Sequence, residues 1–238
     1  CRDDFGGSIH NCSAWAGLHY FASRDGGGLG DAGDILVWPE GNQRLAGFMR
    51  DQQKGRVATG SLIISVAQTS DGVQVDYWDV ATSTRKRLEC KVAVFCLPSF
   101  LRPYLLEKTA SVEQFVYSPW LTANIWMDHI PEDLEAPGHI AWDNVIYDSE
   151  SLGYVVATHQ NLRIAPGPSV LTYYLPLTGP NPETARTWML EQSWNDWVSL
   201  ILADLVQAHP EIESLVTHVD VMLWGHAMIR PVPGFVWG

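Results

Sequence analysis

The sequence is short of positive charge, of long apolar runs and of cysteine, and each shortage removes a class of function. Fifteen lysines and arginines stand against 27 aspartates and glutamates in 238 residues, for a formal net charge of −12. This balance offers no basic patch to nucleic acid phosphates or to anionic lipids. No apolar run approaches the roughly 18–20 residues that a membrane-spanning helix needs. We therefore expect no nucleic acid partner and no membrane partner.

Motifs for metal and nucleophilic chemistry are also missing. The four cysteines show no Cys-x-x-Cys spacing, and no two of the eight histidines lie at three- or four-residue spacing. No Gly-x-Ser-x-Gly elbow is present. We expect neither a metal site nor a serine hydrolase. Cys90 and Cys96 fall in an apolar strand pattern that predicts buried free thiols. This cysteine usage demands no oxidising compartment; it favours the cytoplasm and leaves the bacterial periplasm open.

Size and composition predict a globular chain with a real core. Apolar residues make up 46% and charged residues 18% of the sequence. The first residues, Cys1-Arg2-Asp3, contain neither an initiator methionine nor a signal peptide, so we expect a chain cut from a longer polypeptide. Residues 25–34 form a Gly-rich loop. This loop follows a helical pattern over 12–24 and carries three aspartates, both of which disfavour a phosphate-binding role.

Residues 38–55 predict a turn followed by an amphipathic helix. A tight turn at Pro39–Gly41 opens the segment, and the helical pattern ends near Gln52–Gly55. The apolar positions of this helix recur at three- and four-residue spacing, so we expect them to face a core. They are Leu45, Phe48 and Met49.

Most of the remaining chain reads as strands. Asp71-Gly72 gives the strongest hairpin signal and lies within a predicted antiparallel meander. A short helix or turn is predicted over 98–107. The order of helices and strands is mixed, which is typical of an α+β fold with a mixed or antiparallel sheet flanked by helices. The predicted strands are 35–38, 60–68, 73–78 and 87–97, then 121–127, 144–147, 153–159, 169–175 and 215–224.

The strongest helical pattern covers residues 182–209. It begins after Asn181 and stops at Pro210. Three of the eleven tryptophans, Trp188, Trp194 and Trp197, lie in it. Aromatic surfaces hold sugars and cations, but a stripe that faces a core or another domain explains these residues more simply. Where such a stripe is exposed, it favours a homodimer.

Four short patterns share the order and spacing of a known family. The first is Trp38-Pro-Glu-Gly-Asn, and the second is Gly60-Ser-Leu-Ile-Ile-Ser-Val followed by Gly72-Val-Gln-Val. The third is Val92-Ala-Val-Phe-Cys-Leu-Pro, and the fourth is Trp224-Gly-His-Ala-Met-Ile-Arg-Pro. Together they resemble the flavin-containing amine oxidoreductase superfamily. Residues 35–238 are similar to a bacterial branch of FAD-dependent oxidoreductases within it.

This resemblance implies a fold and a cofactor. Residues 1–98 would hold partial FAD-binding-domain elements with the β-meander, and 99–238 would form the substrate-binding domain. The backbone of Ile63 would take the place of a valine that meets the FAD adenine, and Gly41 would lie at the helix entry before that strand. Arg230 would lie against a carboxylate or phosphate. A small-molecule substrate would lose a hydride to FAD.

Three family features are missing from the sequence. Neither the Gly-x-Gly-x-x-Gly that holds the FAD pyrophosphate nor the final Gly-Asp motif is present, and no lysine occupies 122–124. The resemblance therefore implies an excised central portion whose partners are the missing FAD-binding segments of the same polypeptide. We expect this chain alone to retain FAD weakly or not at all and to be inactive.

No catalytic residue is fixed by the sequence, but three residues are candidates. His226 lies in the segment that the resemblance places closest to the flavin, and Asp143 and His159 lie at the ends of predicted strands. The alternative for each is an ordinary polar residue at a strand end. Further candidates for lining a substrate cleft are Trp142, Asn144, Tyr147, Gln160, Tyr173 and Tyr174.

Two functions remain open. The first is a portion of an FAD-dependent oxidoreductase acting on a C–N or C–C bond, with amines or polyamines ahead of polyene or tetrapyrrole-like substrates. The second is a non-catalytic ligand-binding or protein-interaction module that has lost the flavin machinery.

Overall fold

A computed structural model describes residues 1–24, 38–53, 55–107, 115–131, 140–159 and 167–235. Within these residues, helices are combined with two antiparallel sheets, so the α+β class is confirmed. The Gly-rich loop at 25–34, Gln160 and most of the strand predicted at 35–38 lie outside the described residues.

The elements are mostly short, and three of the helices are single turns. The helices are α1 (Arg2–Phe5), α2 (Ala14–Arg24), α3 (Gln43–Gln52), α4 (Arg102–Leu105), α5 (Pro182–Glu191), α6 (Trp194–Leu205) and α7 (Ile212–Leu215), with a 3-10 turn at Ser99–Leu101. The strands are β1 (Ser61–Gln68), β2 (Val73–Asp79), β3 (Thr84–Cys90), β4 (Val116–Met127), β5 (Asp143–Asn144), β6 (Gly153–Val156), β7 (Ser169–Pro176) and β8 (Val216–Arg230).

The chain divides into two compact units. Unit 1 comprises 1–39 and 116–238, and unit 2 comprises 40–115. Unit 1 is therefore discontinuous, whereas the functional division that the resemblance implies falls between 98 and 99. That functional division stays a prediction.

Unit 1 is built on β4, an interior strand that lies between β7 and β8 in a sheet with the order β5-β6-β7-β4-β8. Leu121, Ala123 and Ile125 alternate along β4 and are fully buried. Side chains two apart point to the same face of a strand, so these residues meet the apolar sides of α5 and α6. Ile201 of α6 and Met189 of α5 are fully buried in the same cluster.

The helix predicted over 182–209 is interrupted at Ser193. The Ser193 hydroxyl accepts a hydrogen bond from the Asp196 backbone N–H, and the Asp196 carboxylate accepts one from the Ser193 N–H. This capping box starts a new helix, so α5 and α6 are separate. Only one residue of the tryptophan stripe reaches the core: Trp197 is buried, whereas Trp188 and Trp194 are exposed.

Unit 2 is a three-stranded meander with the order β1-β2-β3. The predicted hairpin at Asp71-Gly72 is confirmed, and a Cβ atom on Gly72 would lie 2.3 Å from the Cys90 carbonyl oxygen. The strand predicted over 87–97 is wrong in its second half, because β3 ends at Cys90. Residues 91–97 have no ladder partner in the described part of the unit, and Cys96 is exposed instead of buried.

Unit 2 buries almost none of its side chains. Asp76 is the one buried residue among the described residues of 40–115. The prediction that α3 turns an apolar stripe to a core is wrong: Leu45, Phe48 and Met49 are all exposed. The physical reason is that unit 2 brings no second apolar layer against this helix. Its helical pattern is intact, but its apolar face is not covered.

Candidate functional site

The unit 1 sheet turns polar and aromatic side chains to the face opposite α5 and α6. Along β4, Thr122, Asn124 and Trp126 alternate with the buried residues and point to this second face. The strand registers place side chains from four further strands on the same face. We call it the open face, and it comprises Thr122, Asn124, Trp126, Asp143, Val155, Thr172, Tyr174, His218, Asp220, Met222 and Trp224.

Hydrogen bonds between neighbouring strands orient the polar groups of the open face. The Trp224 indole N–H donates to the Thr122 hydroxyl at 3.0 Å. The Thr172 hydroxyl donates to the side-chain oxygen of Asn124 at 2.9 Å. Trp224 keeps about half of its surface exposed despite its bond. The face therefore offers fixed polar groups and accessible aromatic surface to a ligand.

One predicted catalytic candidate lies beside a predicted cleft tyrosine on this face. Burial raises the pKa of Tyr174, and the negative charges of Asp143 and Asp3 raise it further. The Tyr174 hydroxyl therefore remains protonated at neutral pH and is available as a donor. Asp143 is exposed on β5. Tyr173, the next residue along β7, points to the other face and is buried.

His159 lies past the end of β6 and stacks on Trp142. The two ring centroids are 5.2 Å apart and the rings are inclined by 28°. The structure thus brings together two residues that are 17 apart in sequence and were both predicted to line a cleft. Asn144 instead bonds locally to the Ala141 carbonyl at 2.7 Å, and Tyr147 is almost fully exposed.

His226 lies near the C-terminal end of β8 in an edge-to-face contact with Tyr117, at 5.7 Å between ring centroids. Burial lowers the pKa of His226, and the positive charge of Arg186 lowers it further. The imidazole is therefore neutral at pH 7. A neutral imidazole both accepts and donates a hydrogen bond, which suits a residue that contacts a ligand.

The environment of Arg230 differs from the ligand contact that the resemblance implies. Its guanidinium is 1% exposed and donates to the Ser118 hydroxyl at 3.0 Å, to the Gly179 carbonyl at 3.0 Å and to the Gly6 carbonyl at 2.8 Å. These bonds join the N-terminal segment, β4 and the loop before α5. Arg230 thus holds three segments of unit 1 together, and its cofactor role stays a prediction.

In unit 2, Ile63 lines an apolar cavity of about 700 Å³. The cavity lies on one face of the meander, and its walls include Val75 of β2, Phe95 and Leu106. A cavity of this size is in the range of cofactor and ligand pockets. Gly41 lies in the turn before α3 with a φ of 57°, and nothing within 4 Å would meet a Cβ atom there. The structure does not bring Gly41 into the Ile63 cavity.

Sequence reasoning missed the β4 and β8 residues of the open face. The signal was present, because apolar and polar residues alternate over 121–126 as Leu-Thr-Ala-Asn-Ile-Trp. Such a pattern marks a strand with one buried and one accessible face. It does not say which partner strands stand beside it, so Trp224 could not be paired with Thr122 from sequence.

The described residues offer neither a metal-binding cluster nor a membrane-spanning helix. No group of three or more His, Cys, Asp or Glu side chains there has the geometry to hold a metal ion. No described helix is both long enough and apolar enough to cross a bilayer. All four cysteines, which lie within the described ranges, are free thiols.

Comparisons with known proteins assign no family. No family model matches the chain. No curated protein matches it either. The likeness to flavin amine oxidoreductases therefore rests on the four sequence patterns and stays a prediction.

Proposed function

We propose that this chain is a portion of an FAD-dependent oxidoreductase that transfers a hydride from an amine-like substrate to FAD. The observation that carries the proposal is the open face of unit 1. Its polar groups are ordered by cross-strand hydrogen bonds, and its aromatic rings remain accessible. In a flavoenzyme the protein supplies a wall of this kind to position the substrate, while the cofactor accepts the hydride.

The proposal also requires a cofactor domain that is completed by further FAD-binding segments. The apolar surface of unit 2 supports this part of it. Val92 and Val94 are 76% and 82% exposed in an extended stretch next to the Ile63 cavity. Side chains of this kind gain roughly 1.5–3 kcal/mol each when they become fully buried. FAD-binding segments packed on this surface would cover it. We propose these segments as the partner of unit 2.

An amine is the preferred substrate class because the accessible face carries carboxylate charge near aromatic rings. Asp143 acts electrostatically on Tyr174, and Asp220 accepts a hydrogen bond from the Trp126 indole at 2.8 Å. An ammonium group is attracted by both carboxylates and ring faces. The resemblance implies that residues 122–124 take the place of a lysine that many amine oxidases hold near the flavin, and because no lysine is present there, any substrate proton would have to be taken by another group.

The test is a flavin measurement on the product of the complete reading frame that contains this chain. We expect stoichiometric flavin with its visible absorbance, and bleaching of that absorbance when an amine substrate is added without oxygen. Asp143→Asn should slow the bleaching by about 10²-fold if the carboxylate acts as a general base. Glu213→Gln, a charge removal on α7, is the matched control and should change nothing. A full-length product without flavin would reject the enzyme.

The competing function is a ligand-binding or interaction module without redox chemistry. It is favoured by the buried, structural setting of Arg230, which leaves this residue no obvious reach to a cofactor. This module would bind its ligand on the open face. Neither this chain nor the product of the complete reading frame would then contain flavin. The flavin measurement therefore separates the two functions directly.

A further inference from the structure

A second cavity lies on the helix side of unit 1, away from the open face. Its volume is about 720 Å³, and it is bounded by α5, α6 and the loops that follow β5 and β7. Apolar groups, among them Trp188, Leu200 and Leu175, form much of its wall. The size and the mixed lining are those of a small-molecule site.

Three carboxylates line this cavity, and no lysine or arginine lines it. They belong to Asp148, Glu150 and Asp204. Two guanidinium groups contact lining residues through backbone carbonyl oxygens: Arg2 donates to those of Ser149 and Glu150, and Arg230 to that of Gly179. Among the described residues, none of the three carboxylates has a cationic partner within salt-bridge distance. The three carboxylates outnumber these two guanidinium groups, which leaves the cavity with an excess of negative charge.

Asp204 is fixed in place by neutral donors. Its Oδ2 atom accepts from the Ser151 hydroxyl at 2.7 Å and from the Tyr173 hydroxyl at 2.8 Å. The Ser149 hydroxyl lies 2.8 Å from both Oδ2 and the Ser151 hydroxyl oxygen, and its one proton can be donated to either. Burial raises the pKa of Tyr173, so its proton remains on the phenol and donates to Asp204. Oδ1 accepts one bond of 3.2 Å from the Gln207 amide. A carboxylate oxygen has two lone pairs, so Oδ1 can accept a further donor.

Trp188 supplies a preorganised aromatic wall. Its ring packs edge-to-face on the buried Trp197, with centroids 5.2 Å apart and an angle of 85°. Trp188 itself keeps 42% of its surface exposed. A ring that is held from one side and accessible on the other can contact an apolar body or a cation at little entropic cost.

We propose that this cavity binds an organic ammonium ion with an apolar body. The charge would be met by Asp204, with Asp148 and Glu150 at the exposed loop, and the body by Trp188 and the leucines. A neutral molecule of the same shape would gain only the apolar contact. An anion would be repelled. The proposal does not rest on flavin chemistry, so the two can fail separately.

The test uses three probes of one shape: 4-phenylbutylammonium, 4-phenylbutanol and 4-phenylbutanoate. Binding to the full chain is measured by calorimetry and by protein-observed NMR at low and moderate salt. We expect the ammonium to bind at least about tenfold more tightly than the alcohol, which corresponds to 1.4 kcal/mol, and the carboxylate to show no binding. Higher salt should narrow the difference. Equal binding of ammonium and alcohol would overturn the proposal.

Variants locate the site. Asp204→Asn keeps an oxygen for the hydroxyl donors and removes the charge, so it should weaken ammonium binding about tenfold and leave alcohol binding unchanged. Ala203→Phe adds bulk at the wall and should abolish binding of both probes. Glu213→Gln removes a charge outside the cavity and is the control. Ammonium binding that survives both Asp204→Asn and Ala203→Phe would place the site elsewhere and reject the proposal.

A fallback variant covers the case in which Asp204→Asn does not fold. The double change Asp148→Asn with Glu150→Gln removes two charges from exposed loop positions, and asparagine tolerates the positive φ of 61° at 148. A selective loss of about threefold or more in ammonium binding supports the proposal. An unchanged ratio of ammonium to alcohol affinity overturns it.

Discussion

The two units of this molecule contain similar strands and reach opposite outcomes. In unit 1, β4 alternates between a fully buried face and an accessible one, and α5 and α6 cover the buried face. In unit 2, β1 alternates between half-buried and exposed residues only at its start and β2 is mostly half-buried, so that Asp76 is the one buried residue described there. A sheet alone cannot bury its apolar face. It needs a second layer, and unit 1 supplies its own.

This difference indicates where each unit obtains its stability. Unit 1 holds a contiguous apolar cluster that draws on β4, β7, β8, α5 and α6. Unit 2 holds its strands by ladder hydrogen bonds and by the ion pairs of Asp76 with Arg85 and Arg87. Four changes test the contrast, in order of expected effect.

The largest effect is expected in the unit 1 core. Ile201→Ala leaves a cavity beneath β4 and should destabilise unit 1 by about 2–5 kcal/mol. The measurement is hydrogen exchange of the β4 amides, because separate unfolding of two units makes a single global value ambiguous. Leu190→Ala, at an exposed position of α5, is the control and should cost less than about 1 kcal/mol. Similar costs at both positions would show that the core is loosely packed.

The next effect concerns Arg230. Arg230→Met leaves the buried Ser118 hydroxyl and the Gly6 and Gly179 carbonyls without their donor, which should cost about 3 kcal/mol. We expect limited proteolysis to cut within residues 1–24 faster than in the unchanged protein. If protection were unchanged and flavin binding by the complete protein were lost instead, Arg230 would be a cofactor ligand, as the resemblance implies.

A smaller effect, dependent on pH, is expected at Asp76. Hydrogen bonds from Arg87 and then Arg85 hold the pKa of Asp76 well below its ordinary value, which in an unfolded chain is about 3.9. The ion pairs therefore stabilise the meander fully at neutral pH, and their contribution is lost as the pH falls below about 4 toward the folded-state pKa.

Asp76→Asn should accordingly weaken amide protection in β1–β3 at pH 7 and match the unchanged protein in strong acid. Hydrogen exchange at the two pH values makes the comparison. Asp71→Asn, in the exposed hairpin turn, is the control and should leave protection unchanged. Weakening that persists equally at low pH would mean that Asp76 acts through packing and not through its charge.

The smallest effect is expected on α3. Phe48 is 65% exposed, so Phe48→Ser should change the stability of the chain by no more than about 0.5 kcal/mol. Binding of a hydrophobic dye should fall, because an accessible ring is removed. A large destabilisation would show that α3 packs against apolar surface after all. Ile201→Ala, measured alongside, calibrates the response of a buried site.

The sequence predicted local structure better than burial. The Asp71-Gly72 hairpin and the strand at 121–127 are visible in residue type and period, and both are present. The burial of Phe48 was predicted wrongly because periodicity marks which face is apolar, and not whether another layer covers it. The break at Ser193 was missed because a capping box resembles an ordinary polar pair within a long helical pattern.

The candidate sites show the same limit. Asp143 and Tyr174 were both singled out, but only the pairing of β5, β6 and β7 brings them onto one face. Asp204 was not singled out, since its hydroxyl donors Ser149, Ser151 and Tyr173 come from segments 31 to 55 residues away. Long-range pairings of this kind have no local signature. The sequence gives the chemical type of each residue, whereas its neighbours in space depend on how the strands and helices are arranged.

The interior position of β4, between β7 and β8, also has a consequence for biosynthesis. Its two ladder partners, β7 and β8, both follow it, and β8 begins about 90 residues after β4 ends. At 5–20 residues per second, a ribosome needs roughly 5–20 s to make that stretch. During this interval the nascent chain presents β4 without at least one of its two partners, and the apolar side chains of β4 include Leu121, Ile125 and Met127. We therefore expect the yield of folded protein to depend on whether a chaperone binds β4 during this interval and on whether the ribosome translates the stretch without pausing.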